Sequence, residues 1–202
     1  MNVSIQALFC VLRVGRRVIF LVLASIMTKV VDLNNYRLQA MEKRGFGPWQ
    51  KRFAESYDSR TRPSDISDKT LYYLSQPGEN SSNAYYELIM GILDLGPATE
   101  FHFLDNRDQM RVVDIHLFLA DQLRFEMMRR LGWLQRFEGS NYNLLEMVKE
   151  FDSLNKNCRQ NPPELTRSNP NYSEYTHLTD GDKEVFIRRL LQEALDQFKK
   201  RS

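Results

Sequence analysis

The sequence has few of the residues, and none of the short motifs, by which most enzyme families are recognised. Its 202 residues include 3 His and 2 Cys. Phosphate-loop, dinucleotide-binding, zinc-binding and nucleophile-elbow patterns do not occur. The GFG at 45–47 is followed by Pro and Trp, which predicts a turn and not a phosphate cradle. We therefore expect no cofactor, and a non-catalytic protein is favoured over an enzyme.

Cysteine pairs and long apolar runs are also missing. Cys10 and Cys158 lie far apart and imply no disulfide framework, so the cytoplasm is the expected compartment. The run VIFLVLASIM at 18–27 has ten residues, whereas a membrane-spanning helix needs about 20. Because arginines precede this run, residues 1–32 form an N-terminal extension open to three interpretations: an over-extended reading frame before a bacterial-type start at Met27, a membrane-seeking helix, or a secretory signal. Association with the inner membrane, or export, depends on whether the mature protein contains these residues.

Acidic and basic residues are unevenly distributed along the chain. Residues 1–62 contain 11 Lys and Arg against 4 Asp and Glu, whereas residues 63–202 contain 17 against 22. A basic front and an acidic remainder predict either an anionic partner or two oppositely charged faces that attract each other.

Apolar residues recur at helical spacing through most of the chain, and strand patterns are scarce. Residues 34–45 and 46–57 predict two helices separated at Gly45, with Pro48 in the first turn of the second. The best strand candidate is EFHFL at 100–104, and one short strand does not make a sheet.

Two N-cap signals mark the helices that follow. Ser81 and Ser82 predict the start of one helix, and Asp105 predicts the start of the longest, at about 106–131. The fold class predicted from these signals is all-α: a compact multi-helix domain built around that long central helix.

The predicted organisation has four parts. The extension is followed by a helical domain at 33–154. Residues 155–178 are rich in Pro and Asn without an apolar period, which predicts a linker or exposed loop. A C-terminal helix at 179–202 follows this loose connection, and it is expected to dock in cis or in trans.

Three chemically active side chains lie within the longest predicted helix. At about 100° per residue, Asp114 and Asp121 fall on one polar face and His116 on nearly the opposite, apolar face. A metal site that uses Asp114 and His116 together is excluded on a helix, because helical ligand pairs need spacings of three or four residues. We interpret His116 as a core histidine with one hydrogen-bond partner, and the two aspartates as ion-pair residues.

The alternative is a carboxylate-based enzyme or metal site. It requires Asp114 and Asp121 to converge with Glu87 and His102 from other parts of the chain. Asp114 and Asp121 are themselves about 10 Å apart along a helix, which is long for two ligands of one ion. This alternative depends on whether the four side chains meet in space.

Phe118 and Phe125 interrupt the polar face that carries the aspartates. They are seven residues apart and therefore align along the helix. Either a second helix covers this face or the face binds a partner. The nearly all-round apolar character of 112–123 favours core packing.

The stretch 36–62 interleaves basic and aromatic residues, with seven Lys and Arg against three acids. Basic side chains contact phosphates and exposed aromatic rings stack on bases, so an anionic partner is one interpretation. The candidate residues for that surface are Lys43, Arg44, Trp49, Lys51 and Arg52. Trp49 and Phe53 are also four residues apart, which predicts equally well the buried stripe of a solvated amphipathic helix. We favour the amphipathic helix over an anionic protein or lipid surface, and over nucleic acid.

The leading functional hypothesis is a small, non-catalytic helical protein that acts by binding another macromolecule. A protein partner or self-association is expected, because catalytic motifs are missing and the charge is asymmetric. Nucleic acid is a weaker alternative. A membrane-associated protein tethered by residues 1–27 is the third.

Overall fold

The computed structural model describes residues 33–201, and this part of the chain is all-α, as predicted. The predictions for residues 1–32 lie outside the described residues. The α-helices are α1 (Leu33–Phe53), α2 (Asp68–Ser75), α3 (Glu79–Leu93), α4 (Asn106–Arg130), α5 (Leu144–Lys149), α6 (Phe151–Gln160), α7 (Tyr172–Thr176), α8 (Asp180–Arg189) and α9 (Leu191–Arg201). Short 3-10 helices occupy Pro63–Asp65, Ala98–Phe103 and Glu138–Asn141. No strand occurs among residues 33–201, which contain an isolated antiparallel bridge between Leu134 and Leu165.

The longest helix, α4, runs through the middle of the structure and contacts α2, α3, α5 and α9. Asp105 caps its N-terminus as predicted, because its carboxylate accepts a hydrogen bond of 2.8 Å from the backbone N–H of Asp108. Its fully buried apolar residues include Val112, Ile115, Leu119 and Leu123. None of the helices in residues 33–201, α4 included, is long and apolar enough to cross a membrane.

Helix α1 is continuous where the sequence predicts a break. The two predicted helices are one helix that passes through Gly45 and Pro48. Gly45 packs against α3, where an added Cβ would stand 2.6 Å from Cγ1 of Ile92, so this glycine serves close helix packing and not a turn. Pro48 removes the N–H that would bond to the Arg44 carbonyl, but the long contact of α1 with α3 keeps the helix intact.

Two local predictions near α3 are wrong for identifiable reasons. Gly78 is the N-cap of α3, and Ser81 and Ser82 lie in its first turn, where their hydroxyls donate to the Gly78 carbonyl at 2.9 and 3.0 Å. Residues 100–104, predicted as the best strand candidate, lie almost entirely in a 3-10 helix. The backbone N–H and C=O groups of a strand need a second strand as hydrogen-bond partner, and residues 33–201 contain no strand.

Residues 155–178 pack against the helical unit, whereas the sequence predicts a linker or exposed loop. The end of α6 lies within this segment. The N–H of Thr166 then donates to the Trp133 carbonyl at 2.8 Å, and Leu165 and Tyr175 are buried. Single buried residues such as these do not recur at a helical or strand spacing. The Pro-rich and Asn-rich composition of the segment therefore predicted a loop.

The C-terminal segment forms two helices, α8 and α9, where the sequence predicts one. α8 ends with Leu190 as its C-cap, and α9 contacts both α2 and α4. Ala194 and Phe198 of α9 are buried. The apolar face of α9 therefore packs against other helices of the same chain.

Candidate functional site

Asp114 and Asp121 reach one cleft, as their spacing predicts. The cleft has a volume of about 310 Å³ and lies between α4, the 3-10 helix Glu138–Asn141, α6 and α8. Its walls are polar and aromatic, because Phe118 and Phe125 of α4 line it together with Asp114 and Asp121. The seven-residue spacing along α4 thus brings two acids and two rings to the same opening.

The two phenylalanines belong to the core. Phe118 and Phe125 are both buried. Phe118 makes an edge-to-face contact with Phe151 of α6, with the ring centroids 5.6 Å apart. Phe125 makes the same kind of contact with Phe137, at 5.9 Å. The expectation that other elements cover this face is confirmed.

Asp121 is held in an ion-pair network that joins α4 to α8. Its carboxylate lies 2.8 Å from the Arg188 guanidinium and 3.5 Å from that of Arg124. Burial raises the pKa of Asp121 above its ordinary value, and the two guanidinium groups act against that rise. Arg188 also pairs with Glu184 at 2.6 Å. These contacts agree with the predicted ion-pair role of Asp121, whereas Asp114 is exposed and makes no ion pair within residues 33–201.

On the opposite wall of the cleft, the Glu138 carboxylate bonds to two polar groups that lie outside the cleft lining. The Tyr142 hydroxyl donates to the Glu138 carboxylate, and the Asn157 amide donates to both, at 2.9 Å to Glu138 Oε1 and 2.7 Å to the Tyr142 oxygen. Burial raises the pKa of the neighbouring Cys158 thiol to about 11. The thiol is therefore protonated near neutral pH, which makes it a poor nucleophile.

Gln122 is a cleft residue that the sequence does not single out. It is buried on α4, and its amide occupies the space above Gly139, where an added Cβ would stand 1.9 Å from Gln122 Oε1. The pairing of a large polar side chain with a glycine 17 positions along the chain leaves no local signal in the sequence.

The four residues of the metal or carboxylate-enzyme alternative do not meet. Glu87 of α3 is engaged by Arg52 of α1, at 2.6 and 3.3 Å. His102 is exposed in the 3-10 helix that precedes α4. Asp114 and Asp121 share the cleft without them. Within the described part of the chain, no group of three or more His, Cys, Asp or Glu could hold a metal ion. The prediction that Asp114, Asp121, Glu87 and His102 could converge on one site is therefore wrong.

His116 points away from the aspartates, as the helical geometry predicts. Its ring lies against two tyrosines of α3, with centroids 5.0 Å from Tyr85 and 5.3 Å from Tyr86. Burial is the main cause that lowers the pKa of His116 to about 4, and the positive charge of Arg124 acts in the same direction. The imidazole is therefore a neutral packing group at physiological pH.

The half-buried imidazole of His116 predicts a pH-dependent stability. In the folded chain the pKa of His116 is about 4, below its ordinary value of 6.5. The unfolded chain therefore binds the extra proton first, and the free energy of unfolding falls as the pH is lowered from 6.5 towards 4. Urea unfolding at several pH values across this window measures the fall.

The variant His116→Gln identifies the source of that fall. We expect its stability to depend less on pH across the same window than that of the unmodified chain. His102→Gln, which removes an exposed histidine by the same substitution, is the matched control. Parallel curves for His116→Gln and the unmodified chain would show that another group is responsible.

Trp49 lies in the contact between α1 and α3 and is not part of a surface. It is fully buried, and its indole N–H donates to the Ala84 carbonyl at 2.6 Å. Its ring makes edge contacts with Phe53 and Tyr57, at 5.8 and 5.7 Å between centroids. An indole in this position cannot stack on a base, so Trp49 is withdrawn from the candidate anionic-partner surface.

The basic candidates of the same stretch are only partly free. Arg44 pairs with Asp94 at 3.1 Å, and Arg52 pairs with Glu87. Lys43 and Lys51 are exposed. Two of these four basic side chains are thus neutralised within the chain, which weakens the attraction of this surface for an anionic partner.

Three exposed apolar side chains lie on the outer face of α4 or just before its N-terminus, and they are here named the α4 stripe: Phe103, Met110 and Leu117. Their exposed fractions are 87%, 63% and 54%. Met110 and Leu117 are seven residues apart and lie on one face of α4, and Phe103 stands at its N-terminal end. Arg107 and Asp114 lie between them, both exposed and neither in an ion pair within residues 33–201.

Comparison of the chain with protein-family models, with curated proteins and with solved structures gave no match. The fold and the site therefore define a class of protein on their own. It is an all-α protein whose longest helix has a buried inner face, an exposed apolar row and an adjoining cleft.

Proposed function

We propose that this protein is a non-catalytic helical protein that binds another protein through the α4 stripe. The observation that carries the proposal is the exposure of Met110 and Leu117 on one face of α4, with a third exposed apolar side chain, Phe103, just before the helix begins. Single exposed apolar residues are ordinary, but an aligned row with charged neighbours is typical of a protein contact site. A partner helix that presents residues at spacings of three, four and seven would match this row.

Other classes of function have weaker support. The best aromatic candidate for nucleic-acid stacking, Trp49, is buried. Carboxylate-based catalysis requires acidic side chains that converge, and Glu87 does not join Asp114 and Asp121, because it is paired with Arg52 outside the cleft. A membrane tether depends on residues 1–27, which lie outside the described residues. We propose the cytoplasm as the compartment, because Cys10 and Cys158 imply no disulfide framework.

Site-specific photo-crosslinking tests the proposal. The full chain is produced in cells of its source organism with a benzophenone amino acid in place of Leu117, and in a second version in place of Tyr36. Tyr36 is the matched control, since it is an exposed apolar residue of α1 with an exposed fraction of 65%. We expect a discrete crosslinked protein species from position 117 that position 36 does not give.

A third version tests whether the stripe itself makes the contact. It carries the label at position 117 together with Met110→Glu, which places a charge in the middle of the stripe. Burying an unpaired carboxylate in a protein contact is strongly unfavourable, so we expect the crosslinked species to be lost. Absence of any crosslink at position 117, or its persistence in Met110→Glu, would contradict the proposal.

A further inference from the structure

We infer that the cleft beside α4 binds an extended aliphatic diamine, a chain of methylene groups with an ammonium group at each end. This ligand site goes beyond the proposed contact with a protein partner and does not rest on it. Three features of the cleft lining carry the inference: a buried amide without a hydrogen-bond partner, two carboxylates without a paired cation, and an aromatic ring between them.

The buried amide belongs to Gln122 of α4. Its exposed fraction is 4%, and its side chain makes no hydrogen bond to any residue of 33–201. Gln122 lines the cleft, where its amide packs against Gly139. A buried polar group without a partner is unfavourable, so a ligand group that bonds to this amide removes that cost.

Two carboxylates of the cleft lack a cationic partner in the described part of the chain. Asp114 is exposed and forms no ion pair there. Glu138 is half-buried, and its hydrogen-bond donors are all uncharged: the Tyr142 hydroxyl and the amides of Asn141 and Asn157. Both carboxylates are therefore available to pair with a positively charged ligand.

The overall charge of the lining favours a ligand with two positive charges. Four carboxylates and two guanidinium groups line the cleft, which gives it a net charge of −2. Of the two guanidinium groups, that of Arg188 is already held by Asp121 and Glu184, at 2.8 and 2.6 Å. The other belongs to Arg159 and is included in the count. A dication matches this charge, whereas an anion would be repelled.

The spacing of residues along α4 sets the length of the ligand. Asp114, Phe118 and Gln122 follow one another at four-residue intervals, and all three line the cleft. Along the helix axis Asp114 and Gln122 are separated by about 12 Å. Glu138 lies at the Gln122 end, because the next residue, Gly139, packs against Gln122. One ammonium group therefore pairs with Asp114 and the other with Gln122 and Glu138, while the methylene groups lie against Phe118.

Isothermal titration calorimetry of the full chain with the straight-chain eight-carbon diamine tests the inference. The extended length of this probe is close to the separation of the two polar ends of the cleft. We expect a Kd of the order of 100 µM, because a ligand of this size makes few contacts. Octylamine has the same carbon chain and one ammonium group, and we expect it to bind about tenfold more weakly. Suberate, the dicarboxylate with eight carbons, is expected not to bind.

Two variants test the two ends of the cleft separately. Asp114→Asn removes an exposed carboxylate without disturbing the core, and we expect it to raise the Kd of the diamine about tenfold. Gln122→Met removes the amide and keeps most of its volume, and we expect a Kd about fivefold higher. Asp196→Asn is the matched control, since Asp196 is an exposed carboxylate of α9 outside the cleft, and its Kd is expected to stay unchanged.

The stability of the ligand-free chain separates a binding role of Gln122 from a packing role. Gln122→Met removes a buried polar group that has no partner, so its melting temperature is expected to equal or exceed that of the unmodified chain. A lower melting temperature for Gln122→Met, with an unchanged Kd for the diamine, would show that the amide serves packing and would overturn the inference.

The probes and the charge variant give independent grounds for rejection. The inference is overturned if the full chain gives no heat of binding with the diamine up to about 5 mM. It is equally overturned if octylamine or suberate binds as tightly as the diamine, or if Asp114→Asn binds the diamine with the same Kd as Asp196→Asn.

Discussion

Replacement of Arg130 by alanine is expected to lower the free energy of unfolding by about 3 to 5 kcal/mol. Arg130 donates to the Glu126 carboxylate at 2.9 Å and pairs with Asp68 of α2 at 2.5 Å. It also donates to the carbonyl oxygens of Pro63 and Ile66, at 3.1 and 2.8 Å. One guanidinium thus joins the C-terminal end of α4 to the segment that leads into α2.

The cost of the alanine variant has two sources. The fully buried Glu126 carboxylate loses one of its two guanidinium partners and keeps Arg129, at 2.7 and 2.8 Å. Asp68 and the carbonyl oxygens of the segment that leads into α2 lose their partner as well. Arg129→Ala is the matched control. Arg129 is the more exposed of the two arginines and bonds only to Glu126 among its side-chain partners in the described chain, so we expect a smaller loss, about 1 to 2 kcal/mol.

Urea unfolding followed by circular dichroism measures both changes. The difference between the two variants is more informative than either value, because both remove a guanidinium from the same carboxylate. Equal losses for Arg129→Ala and Arg130→Ala would show that the bonds to α2 and its leading segment do not contribute.

Replacement of Gly91 by alanine is the second large expected effect, a loss of about 3 kcal/mol. An added Cβ at Gly91 would stand 2.4 Å from the Arg44 carbonyl oxygen and 2.8 Å from Cα of Gly45. These are backbone atoms of α1, so no side-chain rotation relieves the overlap and the two helices must separate. Separation would loosen the packing around Trp49, whose indole bonds to α3.

Gly181→Ala is the control for the general effect of the added methyl group. A Cβ at Gly181 meets nothing within 4 Å, and the residue lies in α8. Alanine there restricts the unfolded chain and is expected to raise stability by about 0.5 kcal/mol. Thermal unfolding of both variants gives the comparison, and a Gly91→Ala melting temperature equal to that of the unmodified chain would disprove the close contact.

The properties of α4 could be predicted because they are local. Asp105 caps the helix through a bond to a residue three positions on, and the 100° turn per residue separates His116 from Asp114 and Asp121. The same periodicity indicated that Phe118 and Phe125 share a face. Each of these inferences needs only the residues of one segment.

The parts of the site that could not be predicted depend on distant contacts. Gly45 suggested a helix end, although its lack of a side chain serves the approach of α3. Glu87 was predicted as a candidate ligand of a metal site, but in the structure its carboxylate pairs with Arg52. The partner of Asp121, Arg188, comes from α8, 67 positions along the chain. No spacing rule connects residues of different helices whose packing is unknown.

The sequence by itself determined that the chain is helical, where its longest helix lies, and which residues share each face of that helix. The tertiary structure alone decided which faces are covered: it buried Trp49, docked α9 in cis, and left the α4 stripe open. The physical reason is that periodicity is a property of neighbouring residues in one segment. Burial is a property of the surfaces that other segments bring against it, and it follows from the packing of the whole chain.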